Sequence, residues 1–287
     1  MISDIATLQQ LATQVRRDII RMTHRAASGH TGGALGNADL LTALYFGVLQ
    51  QSPDTWRSDG QGHDMFFLSI GHISPVLYSV LARTGYFDIN LLQTFRQLGS
   101  PLQGHPSPEW KVPGIHVATG SLGQGLSVAC GAALAKKMND DPHTVYALIG
   151  DGELEEGQIW EAAMFAAARH IDNLIAIVDW NGQQIDGPVR QVLDTGDLGQ
   201  KWRAFGWETL PMQGNDMTDI LRVVGLAKAA TGQGKPLMIL MRTEMGYGVD
   251  FMQGTHHWHG KAPNAEQAEK ALAQLPVTEF GDFPAEI

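Results

Sequence analysis

The sequence predicts an α/β fold in which a parallel β-sheet is flanked by helices. Apolar runs of strand length alternate with helix-length segments along the 287-residue chain. The clearest unit joins the apolar runs 144–149 and 173–178 through the Ala-rich segment 158–170. A connection long enough to hold a helix joins parallel strands. Two further buried strands are predicted over residues 64–69 and 236–242.

The first helix is predicted over residues 4–27, where apolar side chains recur at three- and four-residue steps. It should end at a glycine-rich loop, 28–33. Further helices are predicted over 38–49 (with Asn37 as its cap), 74–84, 90–98, 126–138, 158–170, 202–208, 216–231 and, as a polar surface helix, 264–273. Residues 246–263, rich in glycine and histidine, are predicted to form a loop. One domain spanning residues 1–287 is the expectation.

Charge and composition restrict the possible partners and the compartment. A formal net charge of −10 and the lack of a Lys/Arg run argue against a nucleic-acid surface. No apolar stretch approaches the length of a membrane span, and the N-terminus lacks a signal-peptide core. The single cysteine, Cys130, cannot form an internal disulfide and is expected to be buried. A cytoplasmic protein is therefore expected.

Two polar residues follow the two apolar runs of the clearest unit. Asp151 lies in Gly150-Asp151-Gly152, and Asn181 comes thirty residues later. Ligands of parallel sheets bind outside the carboxyl ends of the strands, where both residues should emerge. A carboxylate and an amide oxygen suit Mg²⁺ or Ca²⁺, and a phosphate can fill the remaining positions. The alternative is a turn aspartate and an ordinary Asn-Gly turn.

Three of the eleven histidines, His30, His72 and His105, each follow a glycine, which suggests exposed loops. The sequence His256-His257-x-His259 suggests zinc, but its spacing fits no common structural finger and no cysteine or HExxH accompanies it. Whether His256 and His257 take part in a site is left open. The other histidines are interpreted as surface or packing residues: His24, His63, His116, His143 and His170.

Taken together and in order, these motifs resemble the thiamine-diphosphate-binding half of transketolases. The resemblance covers the chain to about residue 265. Its motifs are Ser28-Gly29-His30, Gly71-His72, Gly104-His105-Pro106, Thr119-Gly120-Ser121-Leu122-Gly123-Gln124-Gly125, the Gly150-Asp151-Gly152…Asn181 pair, and Trp258-His259-Gly260-Lys261-Ala262-Pro263.

The resemblance implies a thiamine-diphosphate-binding fold and a role for each matching residue. Asp151, Asn181 and the backbone carbonyl of Gln183 would bind Mg²⁺, for which Ca²⁺ or Mn²⁺ can substitute. His72 and His259 would lie near the diphosphate and the reacting end of the cofactor. His30 and His105 would line the sugar channel, so that the four histidines are the catalytic candidates. The other cofactor-binding candidates are Gly120, Ser121, Leu122, Gly150, Gly152 and Glu156.

Glu156 matches a carboxylate that in this family sits at the subunit interface and couples the two sites. Glu153 and Glu155 are interpreted only as an acidic first helical turn, stabilised by the helix dipole.

The activity implied is transfer of a two-carbon ketol unit from a ketose phosphate to an aldose phosphate. In transketolases the glutamate that activates thiamine belongs to a pyrimidine-binding domain, which is followed by a C-terminal domain. No second α/β unit of that kind is recognised here. The chain therefore resembles the N-terminal subunit of a split transketolase, active only with a partner that carries those two domains, in an α2β2 assembly.

Three other functions agree less well with these residues. A non-catalytic paralogue that binds thiamine diphosphate is disfavoured because all the proposed histidines and metal ligands are present. A 2-oxoacid dehydrogenase component is disfavoured because the histidines suit a polyhydroxylated sugar. A nicotinamide-binding domain fails because no GxGxxG follows the first strand. The donor, the acceptor, the pathway and the oligomeric state of the isolated chain are not determined by the sequence.

Overall fold

Five parallel strands form the central sheet, described from a computed structural model over residues 1–284. The last three residues of the predicted domain, 285–287, lie outside the described range. In spatial order the strands are β1 (Met65–Leu68), β2 (Val145–Gly150), β3 (Leu174–Trp180), β7 (Leu237–Arg242) and β6 (Glu208–Gln213). Each neighbouring pair is parallel, which confirms the predicted sheet. A short antiparallel hairpin joins β4 (Gln183–Gln184) to β5 (Gly187–Pro188).

Helices cover both faces of this sheet. They are α1 (Ile5–Arg25), α2 (Thr31–Gly36), α3 (Ala38–Ala43), α4 (Ser74–Arg83), α5 (Gln124–Met138), α6 (Gly157–Ala168), α7 (Val189–Val192), α8 (Leu198–Ala204), α9 (Met217–Ala229) and α10 (Ala265–Gln274). Short turns of 3₁₀ helix span Gly71–Ile73, Ile89–Thr94, Pro108–Trp110, Gly152–Glu155 and His256–Trp258.

The core has two layers because strand side chains alternate between the two faces of the sheet. Along β2, Tyr146 and Leu148 pack with α1, α3, α4, α9 and α10. Ala147 and Ile149 pack with α5, α6 and α8 on the other face, where Cys130 is buried as predicted. Burial on both faces explains why the central strands are continuously apolar.

Two predictions near the N-terminus, a glycine-rich loop and a helix, need correction. The predicted loop 28–33 is helical from Thr31 onward, because the glycines of α2 allow close packing. A Cβ on Gly36, for example, would lie 2.8 Å from the carbonyl oxygen of Glu244. The predicted helix 38–49 is α3 followed by a π-helical turn, Leu44–Val48. Asn37 does not cap it through its side chain, which bonds instead to Gly33 and Asp179.

Two other helix predictions were wrong in extent. Residues 90–98 form only the 3₁₀ turn Ile89–Thr94, after which the chain leaves helical geometry. The helix predicted over 202–208 is α8, which ends at Ala204, and Glu208 begins β6. This strand was missed because it is an exposed edge strand that contains Pro211, a residue that edges tolerate. The helix predicted as a surface element, α10, buries Ala268, Ala271 and Leu272.

No helix within residues 1–284 has both the length and the apolar character needed to cross a membrane.

The segment after α10 returns to α1 and is held there by Asp282. Its carboxylate accepts hydrogen bonds from Arg17 Nε (2.8 Å), Arg17 Nη2 (2.7 Å) and Gln14 Nε2 (2.9 Å). The Arg17 side chain is almost buried, at 8% exposure, and a buried charge of this kind is stable in the fold only with a counter-charge such as Asp282. The hydrogen bond from Arg17 lowers the pKa of Asp282 to about 2.

We predict that Asp282→Asn lowers the free energy of unfolding by about 2 kcal/mol at pH 7, because Arg17 loses its counter-charge. The pKa of Asp282 is lower in the folded state than in the unfolded state, where it is near 4. The ionised carboxylate therefore stabilises the fold above about pH 4, and this stabilisation is lost as the pH falls toward about 2. The difference in the free energy of unfolding between wild type and variant, measured by urea unfolding, should therefore decrease below about pH 4. Equal stability at pH 7 would contradict the assignment. Glu279→Gln, an exposed position nearby, is the control.

Candidate active site

The carboxyl ends of β2 and β3 bring the two predicted metal ligands to one edge of the sheet. Gly150 pairs with Asp179, and the Asp151 N–H donates to the Asp179 carbonyl oxygen at 3.1 Å. The Asp151 carboxylate is 2% exposed and accepts from the N–H groups of Gly152 (2.9 Å) and Gly182 (2.6 Å). Burial, followed by the nearby charge of Asp179, raises the pKa of Asp151 to about 7.

Asp179 holds the amide of Asn181 in place. Its fully buried carboxylate accepts from Asn37 Nδ2 (2.8 Å), from Asn181 Nδ2 (2.9 Å) and from the Thr243 hydroxyl. Because the nitrogen of Asn181 is bonded to Asp179, its Oδ1 is left as the acceptor, and it receives the Gln183 N–H at 2.8 Å. Asp179 and Asn37 were not predicted from the sequence. An aspartate inside an otherwise apolar strand was the available signal.

The backbone after Asp151 is exposed to the same cleft. Gly152 opens the 3₁₀ turn Gly152–Glu155, and α6 follows directly. A Cβ on Gly152 would lie 3.3 Å from the Cβ of Gln184, so the two backbones approach closely. Backbone N–H groups at the start of such a turn are suited to an anion, and the Gly152 N–H already donates to the Asp151 carboxylate.

Glu153 lies in the first turn of the 3₁₀ helix Gly152–Glu155, as interpreted from the sequence, but it also makes contacts that the sequence did not indicate. Its side chain is buried and accepts from the Ser69 hydroxyl and from the N–H groups of Gly123 (2.7 Å) and Gly150 (3.0 Å). It therefore ties the ends of β1 and β2 to the loop before α5. Burial raises the pKa of Glu153 despite these bonds. Glu155, by contrast, is only half-buried and accepts from Gln184 Nε2 at 2.7 Å.

Three of the predicted histidines form a cluster beside the metal-ligand pair. The ring centroid of His30 lies 4.9 Å from that of His72 and 5.6 Å from that of His259, and the last two are 5.2 Å apart. Burial, followed by the neighbouring histidines, lowers the pKa of His72 to about 2. Burial, followed by His259 and Arg96, lowers the pKa of His30 to about 4. These rings are therefore neutral at pH 7.

His105 stands at the exposed end of this cluster. Its ring packs on Gly120, where an added Cβ would lie 2.8 Å from His105 Cδ2. The backbone of Gly120 has φ +132°, which side chains rarely adopt, so a glycine is required there. Burial and the charge of Arg96 lower the pKa of His105. We refer to His30, His72, His105 and His259 as the histidine channel.

One cleft joins the metal-ligand pair to two residues of the histidine channel, His72 and His259, whereas His30 and His105 are not part of its lining. Its walls come from the strand ends and from the loops that follow them. The residues that line it are Gly33, Ile70, His72, Ile73, Leu122, Gly150, Asp151, Gly152, Glu153, Asp179, Asn181, Gln183, Gln184, Ile185, Met245 and His259. Within it, His259 Nδ1 is buried and has no hydrogen-bond partner among residues 1–284.

Other predicted residues lie at the edge of this cleft or away from it. Ser121 and Glu156 are exposed, and the Cβ of Glu156 would lie 3.0 Å from a Cβ on Gly123. Their predicted roles stay predictions. His256 and His257 contact each other with tilted rings, whose centroids are 4.2 Å apart.

The histidines that were interpreted as surface or packing residues lie outside the cleft lining. His63 and His116 pack together beside Trp56. His24, His143 and His170 bond respectively to Pro263 O, to the Asp141 carboxylate and to Gly234 O.

The two ends of the cleft differ in chemistry. The strand ends offer a buried carboxylate, an amide oxygen and backbone N–H groups, which suit a divalent cation bound to a phosphate. The histidine channel offers neutral imidazoles, which can accept and return protons on hydroxyl groups. The arrangement is chemically suited to a phosphorylated cofactor and a polyhydroxylated substrate.

Residues 7–283 match the family described as transketolase, thiamine diphosphate binding domain. The chain belongs to this family, which confirms both the resemblance and the fold class.

Among its relatives, a 6-deoxy-6-sulfo-D-fructose transketolase subunit of Clostridium sp. (strain MSTE9) is 42% identical over 270 residues, covering 93% of this chain and 96% of the relative. An apulose-4-phosphate transketolase subunit of Phocaeicola vulgatus is 38% identical over 271 residues, covering 94% of each. The crystal structure of transketolase from Campylobacter jejuni superposes with a TM-score of 0.89 at 33% identity. That match covers 99% of this chain and 45% of the transketolase.

We predict that Glu153→Gln lowers the free energy of unfolding by about 2 kcal/mol, because its new NH₂ group faces donors that the carboxylate had satisfied. Glu155→Gln is the matched control and should change stability by no more than about 0.5 kcal/mol. Urea unfolding followed by circular dichroism measures both variants. Indistinguishable midpoints for the two variants would contradict the role given to Glu153.

Proposed function

We propose that this chain is the diphosphate-binding, N-terminal subunit of a two-component transketolase, transferring a two-carbon ketol unit from a ketose phosphate to an aldose phosphate. One observation carries the proposal. The Asp151–Asn181 pair and the neutral histidines His72 and His259 share a single cleft. A cation–diphosphate group at one end would bring a reacting centre to the other.

Asp151, Asn181 Oδ1 and the backbone carbonyl of Gln183 would hold Mg²⁺, with Ca²⁺ or Mn²⁺ as substitutes. The Gly152 N–H would meet the diphosphate, while Gly120, Ser121, Leu122 and Gly150 would surround the cofactor. The buried, unpartnered Nδ1 of His259 fits a cofactor that supplies the missing polar partner. When bound, thiamine diphosphate supplies the nucleophilic carbon and accepts the electrons of the breaking C–C bond.

The protein's own residues would manage protons. Burial lowers the pKa values of His30, His72 and His259, so each ring would hold a sugar hydroxyl by accepting or donating a hydrogen bond. Their close packing limits water around the reacting carbons. His105 would meet the sugar at the channel mouth. A set of neutral imidazoles suits a reaction in which sugar hydroxyl groups both lose and regain protons.

A partner chain is part of the proposal. The chain spans 45% of the C. jejuni transketolase but nearly all of two relatives named as subunits. The helices α5 and α6 expose Val128, Met164 and Phe165 at 40%, 54% and 41%. An apolar surface of this kind suits burial in an interface. The partner would carry the pyrimidine-binding and C-terminal domains, in an α2β2 assembly; a cytoplasmic location also stays a prediction.

The substrate class follows from the site and is supported by the names of relatives. Two of them are named for a sulfo-sugar and a sugar phosphate. We propose sugar phosphates as donor and acceptor.

The test is transfer of a two-carbon unit with thiamine diphosphate and Mg²⁺, measured before and after adding a chain that carries the pyrimidine-binding and C-terminal domains. We expect no transfer by the chain alone, because the group that activates the cofactor would come from the partner. Transfer should appear on mixing and disappear when EDTA removes the metal. Robust transfer by the chain alone would overturn the split-subunit proposal, and a stable complex without transfer would favour a non-catalytic paralogue.

A further inference from the structure

The start of α2 lies against the loop that carries His259. A Cβ on Gly32 would lie 2.9 Å from the Trp258 carbonyl oxygen, and a Cβ on Gly260 would lie 3.6 Å from His30 Nε2. Gly32 does not have a positive φ, so the need for glycine there comes from this close approach. The two segments are therefore in contact beside the rings of His30 and His259, whose centroids are 5.6 Å apart.

Thr31 joins these two segments by a hydrogen bond. The residue is fully buried, and its hydroxyl donates to the Lys261 carbonyl oxygen at 2.8 Å. A threonine hydroxyl often bonds to the backbone of its own turn or helix, whereas this one reaches a residue 230 positions away. Thr31 directly follows His30, and Lys261 comes two residues after His259. The bond therefore links the backbones that carry the two histidines.

Hydrogen bonds do not hold the rings themselves. Within residues 1–284, the ring nitrogens of His30, His72 and His259 have no hydrogen-bond partner. His24, by contrast, bonds through Nδ1 to the Pro263 carbonyl oxygen at 3.1 Å. The spacing of the three rings is therefore set by the backbones that carry them and by the packing of ring on ring.

This spacing affects the charge state of His30. Burial, followed by the neighbouring His259, lowers the pKa of His30 to about 4. If the His259 loop moved away from α2, water would reach the His30 ring and the distance between the two rings would increase. Both changes would raise the pKa of His30. The neutral state of this ring therefore depends on the contact that Thr31 stabilises.

We propose that Thr31 is a positioning residue for the histidine channel: its buried hydroxyl, bonded to the Lys261 carbonyl, holds the His259 loop against His30 and sets the spacing of the two rings. The inference rests on the proposed function, in which these rings hold sugar hydroxyl groups. Thr31 itself is not part of the cleft lining, so it would act through the two histidines.

The first test needs neither partner nor cofactor. The histidine titrations of the full chain are followed by NMR for wild type, Thr31→Val and Thr31→Ser. Thr31→Val removes the hydroxyl but keeps the branched shape, and it should raise the pKa of His30, so that its protonated fraction at pH 6 increases about tenfold. Thr31→Ser keeps the donor and should titrate close to wild type. An unchanged His30 titration in Thr31→Val, or an equal change in both variants, would overturn the proposal.

A third variant covers the case in which Thr31→Val does not fold. Thr31→Cys has the same shape as Thr31→Ser, but its thiol is a weaker donor than a hydroxyl. The pKa of His30 should therefore be higher in Thr31→Cys than in Thr31→Ser. Identical titrations of these two variants would contradict a role for the hydrogen bond.

Thr84→Val is the matched control. Thr84 follows α4, and its hydroxyl donates to the Val80 carbonyl oxygen at 2.6 Å, within the same helix. The variant loses the same kind of hydrogen bond at a distance from the His259 loop, so its His30 should titrate as in wild type. If Thr84→Val shifts the His30 titration as Thr31→Val does, the effect is not specific to Thr31 and the proposal is wrong.

The second test uses the complex with the partner. Thr31→Val should lower kcat for ketol transfer about tenfold, because misplaced groups lose productive geometry. Activity should also fall at a higher pH on the acid side of the profile, because His30 is protonated more easily, and Thr31→Ser should restore both properties. A lower kcat with an unchanged pH profile would mean that Thr31 only supports the fold. If wild type transfers no ketol unit, the proposed function fails, whereas the NMR titration still decides the role of Thr31.

Discussion

The register between β2 and β3 is the constraint on which the site depends. Pairing of Gly150 with Asp179 sets Asp151 beside the Asp179–Asn181 segment, and a slip of one residue would turn these side chains to the other face. The register also places two buried carboxylates close together, which is costly without a counter-ion. Burial and the charge of Asp179 raise the pKa of Asp151, which means that ionising this carboxyl costs free energy in the fold. A divalent cation would remove it by favouring the ionised form.

The central sheet could be predicted because its strands are buried on both faces and are therefore continuously apolar. The exposed edge strand β6 lacks that signal, and Pro211 further obscures it. Helix α2 was not predicted because its sequence carries a misleading signal. Its glycines normally indicate a loop, but here they let the backbone approach Glu244 and Trp258. Such close approach depends on tertiary packing, which a local pattern does not contain.

The site shows the same division between local and long-range information. The proximity of Asp151 and Asn181 could be predicted because both follow strands, and the histidines could be grouped because their motifs occur in order. The burial of Glu153 was not predicted because the groups that it binds, Ser69 and Gly123, are distant in sequence and meet it only in the fold. Residues that position others are therefore harder to predict than residues that lie within motifs.

The most direct test of the account is Mn²⁺ binding to the full chain, measured by electron paramagnetic resonance with and without thiamine diphosphate. We expect Mn²⁺ to be bound when the diphosphate is present and weakly or not at all without it, since the protein offers only one carboxylate and two neutral oxygens. Asp151→Asn should abolish the diphosphate-dependent signal while the chain remains folded. Undiminished binding by that variant would contradict a cation site at the ends of β2 and β3.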